Sequence, residues 1–328
     1  MLELEELSNS YDLAMTERNI EARIAVLIPC YNEELTIPKV VRDFRRALPE
    51  AVVYVYDNNS RDRTCDVART AGAVIGFENM QGKGNVIRRM FADVEADIYV
   101  IVDGDDTYDA AAAPRLVSLL WDNQLDMVSA RRSSDESNAY RGGHRFGNKL
   151  LSSMIHLIFG DRCRDVLSGY RVLSRRFVKS FPALAQGFDI EAELTIHALE
   201  LNMPIAEADA AYKARPEGSV SKLRTYRDGV RICWTIFHLL KEERPLRFFG
   251  IIFLTLALFS TAISIPIFVT YFETGLVPRF PTAVLATGMM LLSFMNLACG
   301  IVLDTVTLGR REAKRMRYLE YPAPRRAG

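Results

Sequence analysis

The chain has 328 residues, 41 basic and 41 acidic side chains and 49% hydrophobic residues, which is enough apolar material for a full-sized core. Zero formal net charge argues against a dedicated nucleic-acid binder, whose electrostatic footprint is basic. The five cysteines (Cys30, Cys65, Cys163, Cys233, Cys299) are odd in number and include no C-x-x-C pair, so neither a disulfide framework nor a zinc knuckle is expected and a reducing compartment fits.

Residues 1–22 form an acidic segment (Glu3, Glu5, Glu6, Asp12, Glu17, Glu21) without a basic stretch followed by an apolar one, so no secretory signal is predicted. Residues 23–225 then alternate. The runs 24–29 (IAVLIP), 52–57 (VVYVYD), 73–77 (AVIGF) and 98–103 (IYVIVD) are short, rich in β-branched residues and close on polar ones, the pattern of strands buried on both faces. Between them 34–48, 62–71 and 84–94 carry helical spacing, with Val40, Val41, Phe44 and Leu48 on one side of the first. Repeated strand–helix–strand units predict right-handed crossovers and a mostly parallel α/β sheet, in which ligands sit beyond the carboxyl ends of the strands.

The first strand is followed by PCYNEE rather than G-x-G-x-x-G, and no G-x-x-x-x-G-K-[ST] occurs, so dinucleotide-binding and P-loop readings both drop. QGKGN at 81–85 is a glycine-rich turn before a helix, which could offer backbone N–H groups to a phosphate but alone reads more as a plain turn. The fourth strand runs directly into Asp103-Gly104-Asp105-Asp106-Thr107. Clustered carboxylates repel unless a positive charge sits among them, and a hard divalent cation bridging carboxylate and diphosphate oxygens is the usual solution. A solvated acidic turn is the bland alternative. With Asp57 closing another strand, a metal–diphosphate site is expected here.

Residues 226–247 place Val230, Trp234, Phe237 and Leu240 at helical spacing with Arg227, Arg231, His238 and Lys241 elsewhere on the turn, which suits an interfacial amphipathic helix. Within 248–304, residues 248–272 and 280–303 are charge-free runs of 25 and 24 residues, each long enough to span a hydrocarbon core of about 30 Å. A transmembrane hairpin is predicted. Lys241, Arg244 and Arg247 precede it, and Arg310, Arg311, Lys314, Arg315 and Arg317 follow in a basic tail over 305–328. Both flanks are therefore expected in the cytoplasm, and the small residues Ala283, Ala286, Gly288, Ser293, Ala298 and Gly300 leave self-association open.

LIPCYNEE at 27–34, YDNNSRDRT at 56–64, GKGNVIR at 82–88, DGDDT at 103–107, DVLSGYR at 165–171 and RPEGSVSK at 215–222 together resemble the family-2 glycosyltransferases. The likeness is narrower to the polyprenyl-phosphate branch: dolichyl-phosphate mannosyltransferases and bacterial undecaprenyl-phosphate glycosyltransferases. It implies a GT-A catalytic domain over 23–225, and an inverting transfer of one hexose from a UDP- or GDP-sugar to polyprenyl phosphate at the cytoplasmic face of a membrane, such as a bacterial inner membrane. By resemblance, Pro29, Tyr31 and Glu33 form the first nucleotide-binding turn, Val55 and Asp57 belong to the base-contacting strand, and Lys83 and Gly104 are donor contacts. Asp103 and Asp105 match the D-x-D pair that holds Mg2+ or Mn2+. Thr107 stands where dolichyl enzymes often carry Gln, which leaves the next ligand open between Asp106 and water.

Arg131 resembles an arginine near the donor, and Arg215 and Lys222 a basic pair over the phosphates. Acceptor phosphate binding is expected from Arg141, Arg145, Ser168 and above all Arg171, with Asp189 or Glu191 orienting the acceptor loop. The histidines show no metal-ligand spacing. Transfer to a sugar hydroxyl is the rival enzyme reading, disfavoured by the absence of Q-x-x-R-W; a catalytically silent membrane scaffold is the rival of another class.

Overall fold

The computed structural model describes residues 22–133, 165–182, 190–213 and 240–324. They fall into two compact units: 22–213 together with 314–324, and 240–313.

In the first unit seven strands make one sheet: β1 (Ile24–Cys30), β2 (Val52–Asp57), β3 (Val74–Phe77), β4 (Ile98–Ile101), β5 (Met127–Ser133), β6 (Arg171–Ser174) and β7 (Ile205–Ala211). Their order is β3-β2-β1-β4-β6-β5-β7. The first four run parallel, β5 and β7 are parallel to each other, and β6 lies antiparallel between β4 and β5. The helices are α1 (Ile37–Ala47), α2 (Thr64–Thr70), α3 (Lys83–Asp93), α4 (Ala113–Asp122), α5 (Arg175–Ser180) and α6 (Ile190–Glu200). This is a mixed-sheet α/β domain.

Every residue of β1 is buried because the sheet is covered on both faces. Val26 and Ile28 enter one core with Val40, Phe44, Ala68, Leu116 and Leu120. Their neighbours Ala25 and Leu27 enter the other, with Val86, Met90, Phe91, Phe177 and Leu194. The period of two along the strand makes that division. In α1 Pro38 occupies the first turn, where its missing N–H costs nothing, and Ile37, Val40, Val41 and Phe44 form the buried face. β3 departs from the fully buried expectation: Val74 and Phe77 are exposed, as befits an edge strand.

The second unit contains α7 (Pro245–Thr274) and most of α8 (Phe280–Leu319). Both are long and apolar enough to cross a membrane. Leu258, Phe268 and Val302 are each about 60% exposed, the reverse of a soluble core helix, whose apolar face is covered. Ala286, Ser293, Gly300 and Thr307 are the buried positions of α8, spaced by seven. Ser260 Oγ donates to Ala286 O at 2.7 Å, and a Cβ on Gly300 would stand 3.0 Å from Phe249 Cβ. Ala286 and Gly300, two of the small residues that left self-association open, thus pack α8 on α7. The tail after 304 is helical through Leu319, longer than the expected span. Most of the expected interfacial helix lies outside the described residues.

Candidate active site

The parallel strands β1 to β4 all end at one edge, so the turns after them converge there. β6 runs the other way, with Arg171 opposite Ile101, which brings 165–170 beside the turn that follows β4. At the far side Lys213 N–H donates to Thr107 O at 2.8 Å, and Tyr108 bridges Tyr212.

Asp103 opens the turn after β4. Its Oδ1 accepts from Lys83 Nζ at 2.5 Å, and the same ammonium reaches Glu191 Oε1 at 2.5 Å. Lys83 stands at the start of α3 and Glu191 at the start of α6, each side chain about one-tenth exposed. Burial alone would lower the lysine; the charges of Asp103 and Glu191 outweigh it and raise the ammonium well above the ordinary lysine range. Removing one partner from such a buried pair typically costs about 3–5 kcal/mol. Glu191 Oε2 is buried without a hydrogen-bond partner. Asp103 also requires Gly169: a Cβ there would fall 2.3 Å from Asp103 Oδ2.

Asp105 is 5% exposed, and its Oδ1 accepts from Thr107 Oγ1 at 2.6 Å and Thr107 N at 3.3 Å. Thr107 therefore orients this carboxylate. Asp106 between them has φ +57°, a left-handed backbone that Asp tolerates. Gly104 is tied into the core: a Cβ would meet Cys30 Sγ at 2.8 Å, and its carbonyl accepts from Thr36 Oγ1 at 2.7 Å. Thr36 Oγ1 also reaches Glu33 Oε2 at 3.2 Å, which links the turns after β1 and β4. Pro29 lies inside the buried β1, and Tyr31 is half-buried.

At the end of β2, Asp57 is 5% exposed. Its Oδ2 accepts from Ser60 N at 3.0 Å, while Oδ1 is buried with no hydrogen-bond partner. Burial, with the adjacent Asp57 carboxylate, pushes the Cys65 thiol up to about 11. An unsatisfied buried carboxylate oxygen at a strand end is an acceptor waiting for an N–H or O–H.

Asp103 and Asp105 both offer carboxylate oxygen, the donor type that a hard divalent cation takes, and Asp103 is paired with the Lys83 ammonium, which a cation would have to displace or share. Among the described residues no group of three or more His, Cys, Asp or Glu gathers for a metal. Two carboxylates completed by substrate phosphates and water is the usual arrangement for Mg2+.

Four of the expected site residues are held as follows. Arg171 is 1% exposed; its Nη2 donates to Val166 O and its Nε to Ser168 O, so it braces the 166–168 segment from inside. Ser168, also fully buried, donates to Ala130 O. Val55 is fully buried in the core between sheet and helices. Arg131 pairs with Asp209 on β7 through two contacts at 2.6 and 2.9 Å. Arg141, Arg145, Asp189, Arg215 and Lys222 lie outside the described residues. Sequence reasoning missed the union of Lys83, Asp103 and Glu191. The available signal was Glu191 itself, the first of three glutamates in the string IEAELTIHALE.

The glycosyl transferase family 2 profile matches residues 25–181. An uncharacterized protein of Shigella flexneri is 56% identical over 154 residues, 47% of this chain and 94% of its own length. Glycosyltransferase AglJ of Haloferax volcanii is 29% identical over 300 residues, 90% of this chain and 98% of AglJ. The dolichyl-phosphate hexose transferase of the same organism is 27% identical over 230 residues, 70% and 99% of the two chains. Among solved structures, glucosyl-3-phosphoglycerate synthase from Mycobacterium tuberculosis, in complex with Mn2+, uridine diphosphate and glucosyl-3-phosphoglycerate, superposes with a TM-score of 0.55 at 25% identity, covering 67% of this chain and 80% of that one. A carboxylate turn at the carboxyl edge of a GT-A sheet, with these matches, makes the chain a member of glycosyl transferase family 2.

Proposed function

We propose that the chain transfers one hexose from a UDP- or GDP-sugar to polyprenyl phosphate, with inversion, at the cytoplasmic face of a membrane crossed by α7 and α8. The observation that carries this reading is the union, in one chain, of the Asp103–Asp105 turn at a sheet edge with two exposed apolar helices of membrane-spanning length. The likeness to a dolichyl-phosphate hexose transferase supports the acceptor. Lys241, Arg244 and Arg247 before α7's apolar stretch, with Arg310 to Arg317 after that of α8, support cytoplasmic flanks.

An oxygen of the lipid phosphate attacks the anomeric carbon as the bond from that carbon to the diphosphate oxygen breaks, and the nucleoside diphosphate leaves with the electron pair. The nucleophile is already anionic, so no strong general base is needed. A divalent cation, Mg2+ or Mn2+, held by Asp103 and Asp105 would neutralise the charge that develops on the leaving diphosphate. Asp57 Oδ1 offers an acceptor to a nucleotide N–H or O–H, and the turn bearing Tyr31 and Glu33 closes the same edge. Arg215 and Lys222 are assigned to the phosphates by family resemblance.

Purified protein in detergent is supplied with undecaprenyl or dolichyl phosphate and labelled UDP- and GDP-sugars, with Mg2+ or Mn2+ or with chelator. The expected product is a metal-dependent, mild-acid-labile glycolipid from one donor, lost in Asp105→Ala. Label appearing only on a hydroxyl acceptor from a membrane extract overturns the acceptor assignment and makes Glu191 the base to test.

A further inference from the structure

The ammonium of Lys83 already occupies one of the two carboxylate oxygens of Asp103. Oδ1 is held by Lys83 Nζ at 2.5 Å, and Oδ2 faces Gly169, where an added Cβ would stand 2.3 Å away. Lys83 is not a wandering surface lysine: its side chain is 10% exposed. Its helix start is pinned, because Gly82 N–H donates to Asn58 Oδ1 at 2.7 Å. Glu191 gives the same ammonium a second, equally close oxygen from a different helix, at 2.5 Å. A lysine held equally by two carboxylates can leave one and stay with the other.

We propose that Lys83 is a built-in counter-ion that a divalent cation displaces from Asp103, and that Glu191 is the positioning residue that retains the displaced ammonium at the edge of the site. The proposal rests on the reading of Asp103 as a cation ligand. Without nucleotide, a cation must displace the ammonium from Asp103 and then stand beside it, so binding is weak. A nucleoside diphosphate brings further negative charge, so that cation and ammonium are both accommodated. Cation and diphosphate therefore bind with positive coupling, each strengthening the other by the same factor, and Lys83 is the source of that coupling.

The test is Mn2+ binding by the full-length protein in detergent, read from the electron paramagnetic resonance signal of free Mn2+, with and without UDP or GDP. Wild type is expected to bind Mn2+ weakly alone and much more tightly with the diphosphate it accepts. In Lys83→Met the nucleotide-free affinity is expected to rise at least about ten-fold, since an opposed charge within a few ångströms shifts such equilibria by one to three decades, and the gain from nucleotide shrinks accordingly. Lys83→Arg keeps the charge and is expected to keep weak nucleotide-free binding. Glu191→Gln leaves the ammonium to Asp103 alone, and nucleotide-free Mn2+ binding is expected to weaken further. That variant, with Lys83→Arg, decides the matter if Lys83→Met does not fold. Wild type that binds Mn2+ with diphosphate while Lys83→Met and Glu191→Gln match it without nucleotide overturns the counter-ion role and leaves the cation site standing. No Mn2+ uptake by any of the proteins, with or without diphosphate, overturns the cation site and the counter-ion role together.

Discussion

Asn58 Oδ1 accepts the backbone N–H of Gly82 at 2.7 Å, so the residue that ends β2's turn holds the start of α3. The other end of the same amide donates to Glu78 O and Met80 O, both at 2.8 Å, and Asn58 N–H donates to Cys30 O. One 3%-exposed side chain thus fixes the whole loop that presents Lys83. Asn58→Asp keeps the shape but turns a donor into an oxygen facing two carbonyls. Leaving buried groups unsatisfied costs about 1–3 kcal/mol each, so a loss of about 3 kcal/mol is expected in urea unfolding, together with a lower kcat/KM for the sugar donor. Unfolding and kinetics both at the wild-type level would show that the loop does not depend on Asn58.

Arg171 gives a sharper contrast between two roles. Its guanidinium satisfies buried carbonyls of Val166 and Ser168, so Arg171→Met is expected to lower stability by about 2–4 kcal/mol while the KM for polyprenyl phosphate in the folded protein stays unchanged. A rise in that KM at unaltered melting temperature would return Arg171 to the acceptor site.

Much of the fold was legible because burial on both faces leaves a plain trace: β1, β2 and β4 were expected within two residues of where they lie. β6 was not, since its four residues carry no turn signal and its pairing with β4 spans some seventy residues of chain. Helices α1 and α2 start two or three residues later than their periodicity suggested, because 31–36 and 58–63 are stitched into turns by Asn32, Ser60, Asp62 and Thr64. Asp57, Asp103 and Asp105 were legible as strand-end carboxylates. The partners of Asp103 were hidden by sequence separation, 20 residues to Lys83 and, from Lys83 to Glu191, 108. The inward course of Arg171 was not legible, because an arginine in a motif looks the same whether its guanidinium faces solvent or braces buried carbonyls.

The C-terminal segment should matter to the stability of the first unit. Asp126 is fully buried and accepts from Ser174 Oγ at 2.7 Å, Arg176 Nη2 at 2.8 Å and Tyr318 Oη at 2.8 Å. Arg176 also lies 4.7 Å above the Tyr318 ring, and Lys314 pairs with Glu200 at 2.5 Å. Tyr318→Phe removes one hydrogen bond to a carboxylate and is expected to cost about 1.5–3 kcal/mol. Tyr318→Ala also loses the stacked ring and should cost more. Equal melting temperatures for the two variants would deny the ring any part in the contact.

His197 sets an acid limit on the fold. It is 2% exposed, its Nε2 lies 3.0 Å from Ser180 Oγ, and its Nδ1 is buried without a partner. Phe177 and Phe181 meet the ring at 5.2 and 5.3 Å. Burial first, and then the charge of Lys314, lower its pKa to about 3. The unfolded chain takes up the proton near pH 6.5, whereas the folded chain stays neutral until about pH 3. Between those values the unfolded state binds one more proton, so stability is complete above pH 6.5 and falls with decreasing pH by about 1.4 kcal/mol per unit. His197→Gln retains a partner for Ser180 and removes the titrating ring. Urea midpoints measured from pH 7.5 to 4.5 should fall more steeply for wild type than for the variant by that slope, and parallel curves would mean that His197 is protonated in the folded protein.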